Sequence, residues 1–144
     1  MCLKLDNGMK FHFDVDGSDF TLAGENSGIL KRRLKQLGLP PEFIRRVAIA
    51  MYEAEINMVI HAEGGTIDAE LTPLKIHIVF ADKGPGISNI EKAMQEGYST
   101  ASNEVRELGF GAGMGLPNIK KNSDSMNIST VIGEGTTIDL IINI

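Results

Sequence analysis

Apolar and polar residues alternate near the start of the chain. Met9, Phe11, Phe13 and Val15 are apolar, and each is followed by a charged residue or a histidine. Successive side chains of a strand point to opposite faces, so this pattern predicts a half-buried β-strand that ends before Gly17.

Two helices are predicted after this strand. Apolar residues recur at helical spacing from about Ser27 to Leu37, and Gly38 is a typical helix stop. Pro40-Pro41 opens a longer helix, because proline is tolerated in the first turn, and Gly64-Gly65 ends it. The predicted apolar stripes consist of Ile29, Leu30, Leu34 and Leu37 in the first helix and of Phe43, Ile44, Val47, Met51, Ala54 and Met58 in the second.

The second half of the chain is predicted to hold two hairpins and a third helix. Thr72-Pro73 forms the turn of the first hairpin, Gly133-Glu134-Gly135 forms that of the second, and 116–124 can form the helix. The four predicted strands are 67–71, 76–80, 128–132 and 138–144. This order of elements predicts an α+β fold, in which a mixed, mostly antiparallel sheet carries helices on one face.

Residues 88–115 lack a sustained pattern and consist of glycines, small polar residues and short helical pieces. A stretch of this length inside a compact domain is usually functional and often forms a lid over an active site. Repeats and linkers are not apparent, so we expect 1–144 to be one domain.

The composition narrows the classes of function. The formal net charge is -5 and basic residues occur only in short clusters, so direct binding of nucleic acid is not expected. The only cysteine, Cys2, allows neither an internal disulfide nor a thiolate metal cluster. Signal-peptide features and an apolar run of roughly 20 residues are missing from the sequence, so we expect a cytoplasmic protein without membrane contact.

The second helix carries polar residues at every fourth position. Glu53, Asn57 and His61 therefore share one face, while Glu55 lies about 160° around the helix from Asn57. Glu53 could accept a proton or orient water, and the Asn57 amide oxygen could bind a hard cation such as Mg²⁺. An ordinary solvent-exposed face with a capping histidine explains the same stretch equally well.

Asp82-Lys83-Gly84-Pro85-Gly86 follows a strand that is predicted to be buried. Asp82 could accept a hydrogen bond from an exocyclic amine such as that of adenine, and Gly84 and Gly86 would let the backbone approach a flat ligand. An ordinary turn is the alternative, because these residue types all favour turns.

Glycine occupies every second position at Gly109, Gly111, Gly113 and Gly115, just before the third helix. Backbone N–H groups exposed by such a run can cradle phosphate, and the helix N-terminus adds a favourable dipole. The run is not a P-loop, because Gly-Lys-Ser/Thr does not follow it. A flexible hinge is the alternative interpretation.

The three motifs in this order resemble the N, G1 and G2 boxes of the GHKL superfamily (gyrase, Hsp90, histidine kinase, MutL). The boxes are Glu53-x-x-x-Asn57, Asp82-x-Gly84-x-Gly86 and the glycine run 109–115. Glu53–His61 and Gly113–Ile119 are especially similar to the branch of anti-sigma regulatory factors and switch serine/threonine kinases. The resemblance implies a Bergerat fold, a two-layer α/β sandwich with a flexible ATP lid.

The resemblance also implies a role for each motif residue. Glu53 would be the general base, Asn57 would ligate Mg²⁺, and Asp82 would bind the adenine amine with help from Thr136. The other residues implied to bind the nucleotide are Gly84, Gly86, Gly109, Gly111, Gly113, Met114, Gly115 and Leu116.

The resulting prediction is an anti-sigma-type serine/threonine kinase that uses Mg²⁺ and ATP to phosphorylate a STAS-domain anti-sigma-factor antagonist. Two alternatives stay open. One is a module that sequesters a sigma factor or another partner, with ATP setting only its conformation. The other is a detached histidine-kinase catalytic domain. The resemblance also allows a homodimer.

Overall fold

Five strands and three helices make up the part of the chain that the computed structural model describes, which is 8–17, 23–62, 64–87, 94 and 115–144. In chain order they are β1 (Met9–Asp16), α1 (Glu25–Gln36), α2 (Pro41–His61), β2 (Gly64–Leu71), β3 (Lys75–Asp82), α3 (Gly115–Lys121), β4 (Ser125–Val131) and β5 (Gly135–Asn143). Every element predicted from the hydrophobic pattern is present, with boundaries shifted by a few residues.

The five strands form one sheet in the order β1-β2-β3-β5-β4. Each of the four pairings between these strands is antiparallel. The chain leaves the sheet after β3, passes through α3 and returns as the β4–β5 hairpin, whose second strand lies beside β3. The predicted α+β class with a mostly antiparallel sheet is confirmed.

The core lies between one face of the sheet and the three helices, of which α2 contributes the most buried residues. Ile67, Ile78 and Leu140 on three neighbouring strands are fully buried on that face. All six predicted core residues of α2 are buried. The predicted burial of Leu37 is wrong, because α1 ends at Gln36 and Leu37, as its C-cap residue, is 42% exposed.

Polar side chains occupy the opposite face of the sheet. His12 on β1 pairs in register with Asp68 on β2, and its Nδ1 lies 2.6 Å from the Asp68 carboxylate. Its Nε2 lies 3.2 Å from Asp14. The hydrogen bond to Asp68, followed by the one to Asp14, raises the pKa of His12.

The helices described here do not include one that is both long and apolar enough to cross a bilayer.

Candidate functional site

Glu53 and Asn57 lie one turn apart in α2, and both are partly buried. The polar face that they form is directed toward α3. The Asn118 amide nitrogen of α3 lies 3.5 Å from Glu53 Oε1, at the outer limit of a hydrogen bond. His61 is the last residue of α2, and its side chain lies outside the described residues.

Gly115, the first residue of α3, lies against Asn57. A Cβ atom added at Gly115 would stand 2.9 Å from Asn57 Nδ2 and 3.0 Å from Asn57 Oδ1, so the Asn57 amide would have to shift to admit it. The helix start that follows the predicted glycine loop therefore packs directly on the predicted Mg²⁺ ligand. Leu116, the next residue, is buried in the core.

Asp82 ends β3 on the face of the sheet that packs against the helices, since it follows Phe80 by two positions. Its Oδ1 atom accepts hydrogen bonds from the backbone N–H groups of Gly84 and Thr136, both at 3.0 Å. Hydrogen bonds between described residues do not involve Oδ2. One carboxylate oxygen of Asp82 is thus fixed by the chain itself.

The turn after Asp82 packs against the β4–β5 hairpin. Gly86 has a φ of +85°, which favours glycine, and a Cβ there would stand 2.9 Å from the Val131 carbonyl oxygen. The Ile87 N–H donates to Thr130 Oγ1 at 2.8 Å, and this hydroxyl lies 3.0 Å from that of Thr136. Gly86 is therefore required by contact with the protein's own hairpin, a constraint that the sequence motif does not reveal.

Glu55 is a residue of this region whose role sequence reasoning missed. Its side chain is 1% exposed, and its two oxygens accept the backbone N–H groups of Asn26 at 3.1 Å and Ser27 at 3.0 Å. The N-cap residue of α1 is Gly24, which has no side chain to cap the helix, so Glu55 caps α1 from α2. Burial raises the pKa of Glu55, and the backbone hydrogen bonds oppose that rise.

A signal for this contact exists in the sequence. Glu55 lies four residues after Met51 and three before Met58, so a charged residue interrupts a buried stripe. A carboxylate in such a position needs donors from a neighbouring element.

Several predicted site residues fall outside the described part of the chain: Gly109, Gly111, Gly113 and Met114. The same holds for 88–93 and 95–114 of the predicted lid. Within the described part, Gly84 and Thr136 are buried next to Asp82. The structure thus brings together Glu53, Asn57 and Gly115 at the α2–α3 contact, and Asp82, Gly84 and Thr136 at the ends of β3 and β5.

The described residues contain no group of three or more His, Cys, Asp or Glu side chains that could hold a metal ion. Mg²⁺ does not require such a group, because it keeps several waters and needs few protein oxygens when phosphates are bound. The Asn57 amide oxygen is such a donor.

Comparison with known proteins identifies the family. The model of the histidine kinase-like ATPase domain matches residues 23–142. The serine/threonine-protein kinase RsbT of Bacillus subtilis is 33% identical over 111 residues, which cover 74% of this chain and 77% of RsbT. The anti-sigma F factor of Caldanaerobacter subterraneus subsp. tengcongensis is 34% identical over 108 residues, which cover 72% of each chain.

Solved structures agree on the fold. The RsbU and RsbW domains of a Mycobacterium tuberculosis protein match with a TM-score of 0.63 at 18% identity, over 93% of this chain and 32% of that longer one. The SiaB–SiaC complex of Pseudomonas aeruginosa gives a match with a TM-score of 0.54 at 12% identity, over 99% of this chain and 95% of that chain. The predicted family and the predicted class of protein kinase are confirmed. The chain belongs to the histidine kinase-like ATPase family, in the branch of the RsbT kinase and the anti-sigma factors.

Proposed function

We propose that the chain transfers the γ-phosphoryl group of ATP to a serine of a STAS-domain partner, and that its nucleotide site lies between α2, α3 and the ends of β3 and β5. The observation that carries this proposal is the contact between Asn57 and Gly115, which joins the polar face of α2 to the end of the glycine run. Two of the three family motifs meet at that contact.

The adenine end of the site is assigned to Asp82. Two backbone N–H groups hold Oδ1, so the carboxylate presents Oδ2 in a fixed direction. An acceptor held in this way selects an exocyclic amine over a carbonyl, because a ligand carbonyl there would leave two acceptors facing each other. Thr136 contributes its backbone N–H to this arrangement, and Gly84 and Gly86 shape the turn.

The phosphate end of the site is assigned to Asn57 and the glycine run 109–115. Asn57 would hold Mg²⁺ through its amide oxygen, and the metal, when bound, would neutralise charge on the phosphates. The backbone N–H groups of the glycine run would wrap the phosphates. Because Gly115 has no side chain, the run can reach the phosphates beside Asn57.

Glu53 is assigned as the general base. Its carboxylate takes the proton of the partner's serine hydroxyl while the serine oxygen bonds to the γ-phosphorus. The bond between that phosphorus and the bridging oxygen breaks, and ADP leaves with the electron pair. The Asn118 amide nitrogen lies 3.5 Å from Glu53 Oε1, so it is a donor beside this carboxylate.

The experiment is the transfer of labelled γ-phosphate from ATP to a purified STAS protein encoded near this chain's gene. We expect acid-stable phosphoserine and a loss of about 100-fold or more in rate for Glu53→Gln. Glu134→Gln is the matched control, because Glu134 is an exposed residue of the β4–β5 turn. Acid-labile product would instead indicate a histidine kinase, and an unchanged rate for Glu53→Gln would remove Glu53 as the base.

A second function, binding of a sigma factor, is favoured by the 34% identity to an anti-sigma F factor. The two activities are compatible in one chain. Nucleotide-dependent formation of a complex with a sigma factor, without phosphoryl transfer to it, would identify the second activity.

A further inference from the structure

A groove separate from the proposed nucleotide site runs between α1 and the first half of α2. It has a volume of about 510 Å³. Its lining residues are Lys31, Lys35, Leu39, Pro41, Ile44, Arg45, Ala48 and Ile49. The groove lies in the described residues, and neither Glu53 nor Asn57 lines it.

The groove combines an aliphatic floor with a cationic rim. Leu39, Ala48 and Ile49 are only partly buried, so apolar surface is open to a ligand. Lys31 and Lys35 lie one turn apart on the same side of α1 and are exposed. All the charged residues that line the groove are basic, in a chain whose formal net charge is -5.

The three basic groups differ in their availability. Arg45 is engaged by Glu42 of the same helix, with its Nε at 3.1 Å from Glu42 Oε2. Lys31 and Lys35 form no ion pair within the described part of the chain. The two lysines are therefore the charges that an incoming acidic group would meet first.

The groove is built before any ligand binds, because both ends of α1 are fixed. Glu55 of α2 caps the N-terminus through Asn26 and Ser27. At the other end, the Leu39 N–H donates to the Leu34 carbonyl at 3.2 Å, which places Leu39 in the groove. A preformed groove avoids the ordering cost that a flexible surface would have.

We propose that this groove binds an amphipathic helix of a partner protein, whose apolar side chains enter the groove and whose flanking Asp or Glu residues pair with Lys31 and Lys35. A helix laid into a groove between two helices is a common recognition mode. The chain's overall negative charge repels acidic proteins, so a local basic rim gives orientation and specificity to an acidic partner. Phosphate chains would match the lysines but would leave the aliphatic floor unfilled. The inference does not depend on phosphoryl transfer.

The probe is a labelled peptide of about five helical turns with leucines at positions i, i+3, i+4 and i+7 and glutamates on both flanks. Its control carries lysines in place of the glutamates. Fluorescence anisotropy should show the acidic peptide binding about tenfold or more tightly than the basic one, and amide shifts in NMR spectra should map to 31–49. Lys31→Glu/Lys35→Glu should reverse this preference.

Two further variants test whether binding needs the apolar floor of the groove or only the charge of its lysines. Ile49→Gln keeps both lysines but makes the floor polar, so it should lower the affinity for the acidic peptide several-fold. Lys75→Glu changes an exposed lysine on the sheet and should have no effect. ATP binding by every variant reports that it is folded.

The proposal fails if the acidic peptide does not bind saturably or binds no better than the basic one. It also fails if Ile49→Gln leaves binding unchanged, because the surface would then attract anions of any kind. Retained peptide binding in a Glu53→Gln protein that has lost phosphoryl transfer would separate this inference from the proposed kinase activity.

Discussion

Gly115, the first residue of α3, lies directly against the side-chain amide of Asn57 on α2. A Cβ at Gly115 would stand 2.9 Å from the Asn57 amide nitrogen, and both polar atoms of that amide are within 3.0 Å. The start of α3 is therefore in contact with the Asn57 side chain on α2. A displacement of Gly115 would therefore change the surroundings of Asn57, the proposed Mg²⁺ ligand.

Gly115→Ala should weaken Mg²⁺-dependent ATP binding by about tenfold or more, because the new methyl group displaces the Asn57 amide or pushes α3 away from α2. Isothermal titration calorimetry with and without Mg²⁺ measures the change. Binding in the absence of Mg²⁺ should fall less.

Gly28→Ala is the matched control for Gly115→Ala. Gly28 lies inside α1, and a Cβ there meets only Arg32 at 3.7 Å, an ordinary contact. The exchange should raise the free energy of unfolding by about 0.5–1 kcal/mol and leave ATP affinity unchanged. Equal ATP affinity of the Gly115 and Gly28 variants would contradict the proposed role of the α2–α3 contact.

Glu55→Ala should lower the free energy of unfolding by about 2–3 kcal/mol. The substitution leaves the N–H groups of Asn26 and Ser27 without their acceptor at the N-terminus of α1. Urea denaturation followed by circular dichroism measures the loss. Glu25 is an exposed acidic residue in the first turn of α1. Glu25→Ala should lower the free energy of unfolding by well under half as much as Glu55→Ala does.

Glu55→Gln should remove part of the pH dependence of stability. Burial raises the pKa of Glu55 in the folded protein, so the folded state holds this proton more tightly than the unfolded state does. The contribution of Glu55 is therefore largest at low pH and declines as pH rises through the raised pKa. Denaturation midpoints measured across pH 4–8 should decline less with pH in Glu55→Gln than in the wild type. Identical pH profiles would show that Glu55 does not titrate above the usual range.

His12 should titrate above the usual pKa of a histidine, because hydrogen bonds to Asp68 and Asp14 favour its charged form. NMR titration of the imidazole measures this pKa directly. Asp68→Asn removes the stronger of the two contacts and should bring the pKa down, while Asp14→Asn should lower it less. The stability that the His12–Asp68 pair contributes is present at low pH and is lost as pH rises through the raised pKa. A pKa of His12 that stays the same in Asp68→Asn would contradict the contact.

The sequence predicted those features that depend on local periodicity. The alternation from Met9 to Val15 marks β1, and the stripe from Phe43 to Met58 marks the buried face of α2, because each is set by residues that are close in the chain. The capping of α1 by Glu55 joins residues 28 and 29 positions apart, and the packing of the helices alone creates it.

In the candidate site too, the sequence indicated single residues, while contacts between distant segments appeared only in the structure. The family resemblance implied that Thr136 assists Asp82 in binding adenine, and the structure shows a hydrogen bond from the Thr136 backbone N–H to the Asp82 carboxylate. The contact of Gly86 with the Val131 carbonyl could not be read from the motif, because it depends on how the β4–β5 hairpin meets the turn. The groove beside α1 likewise arises from two helices that meet in the fold.

Calorimetric titration of ATP into the wild type and the Asp82→Asn protein tests the central claim most directly. In Asp82→Asn the amide oxygen would keep the N–H groups of Gly84 and Thr136, so the amide nitrogen would face the adenine amine in place of Oδ2. Two donors would then oppose each other, and ATP affinity should fall about tenfold or more while the fold is retained. An Asp82→Asn protein that binds ATP as tightly as the wild type would contradict the assignment of the nucleotide site.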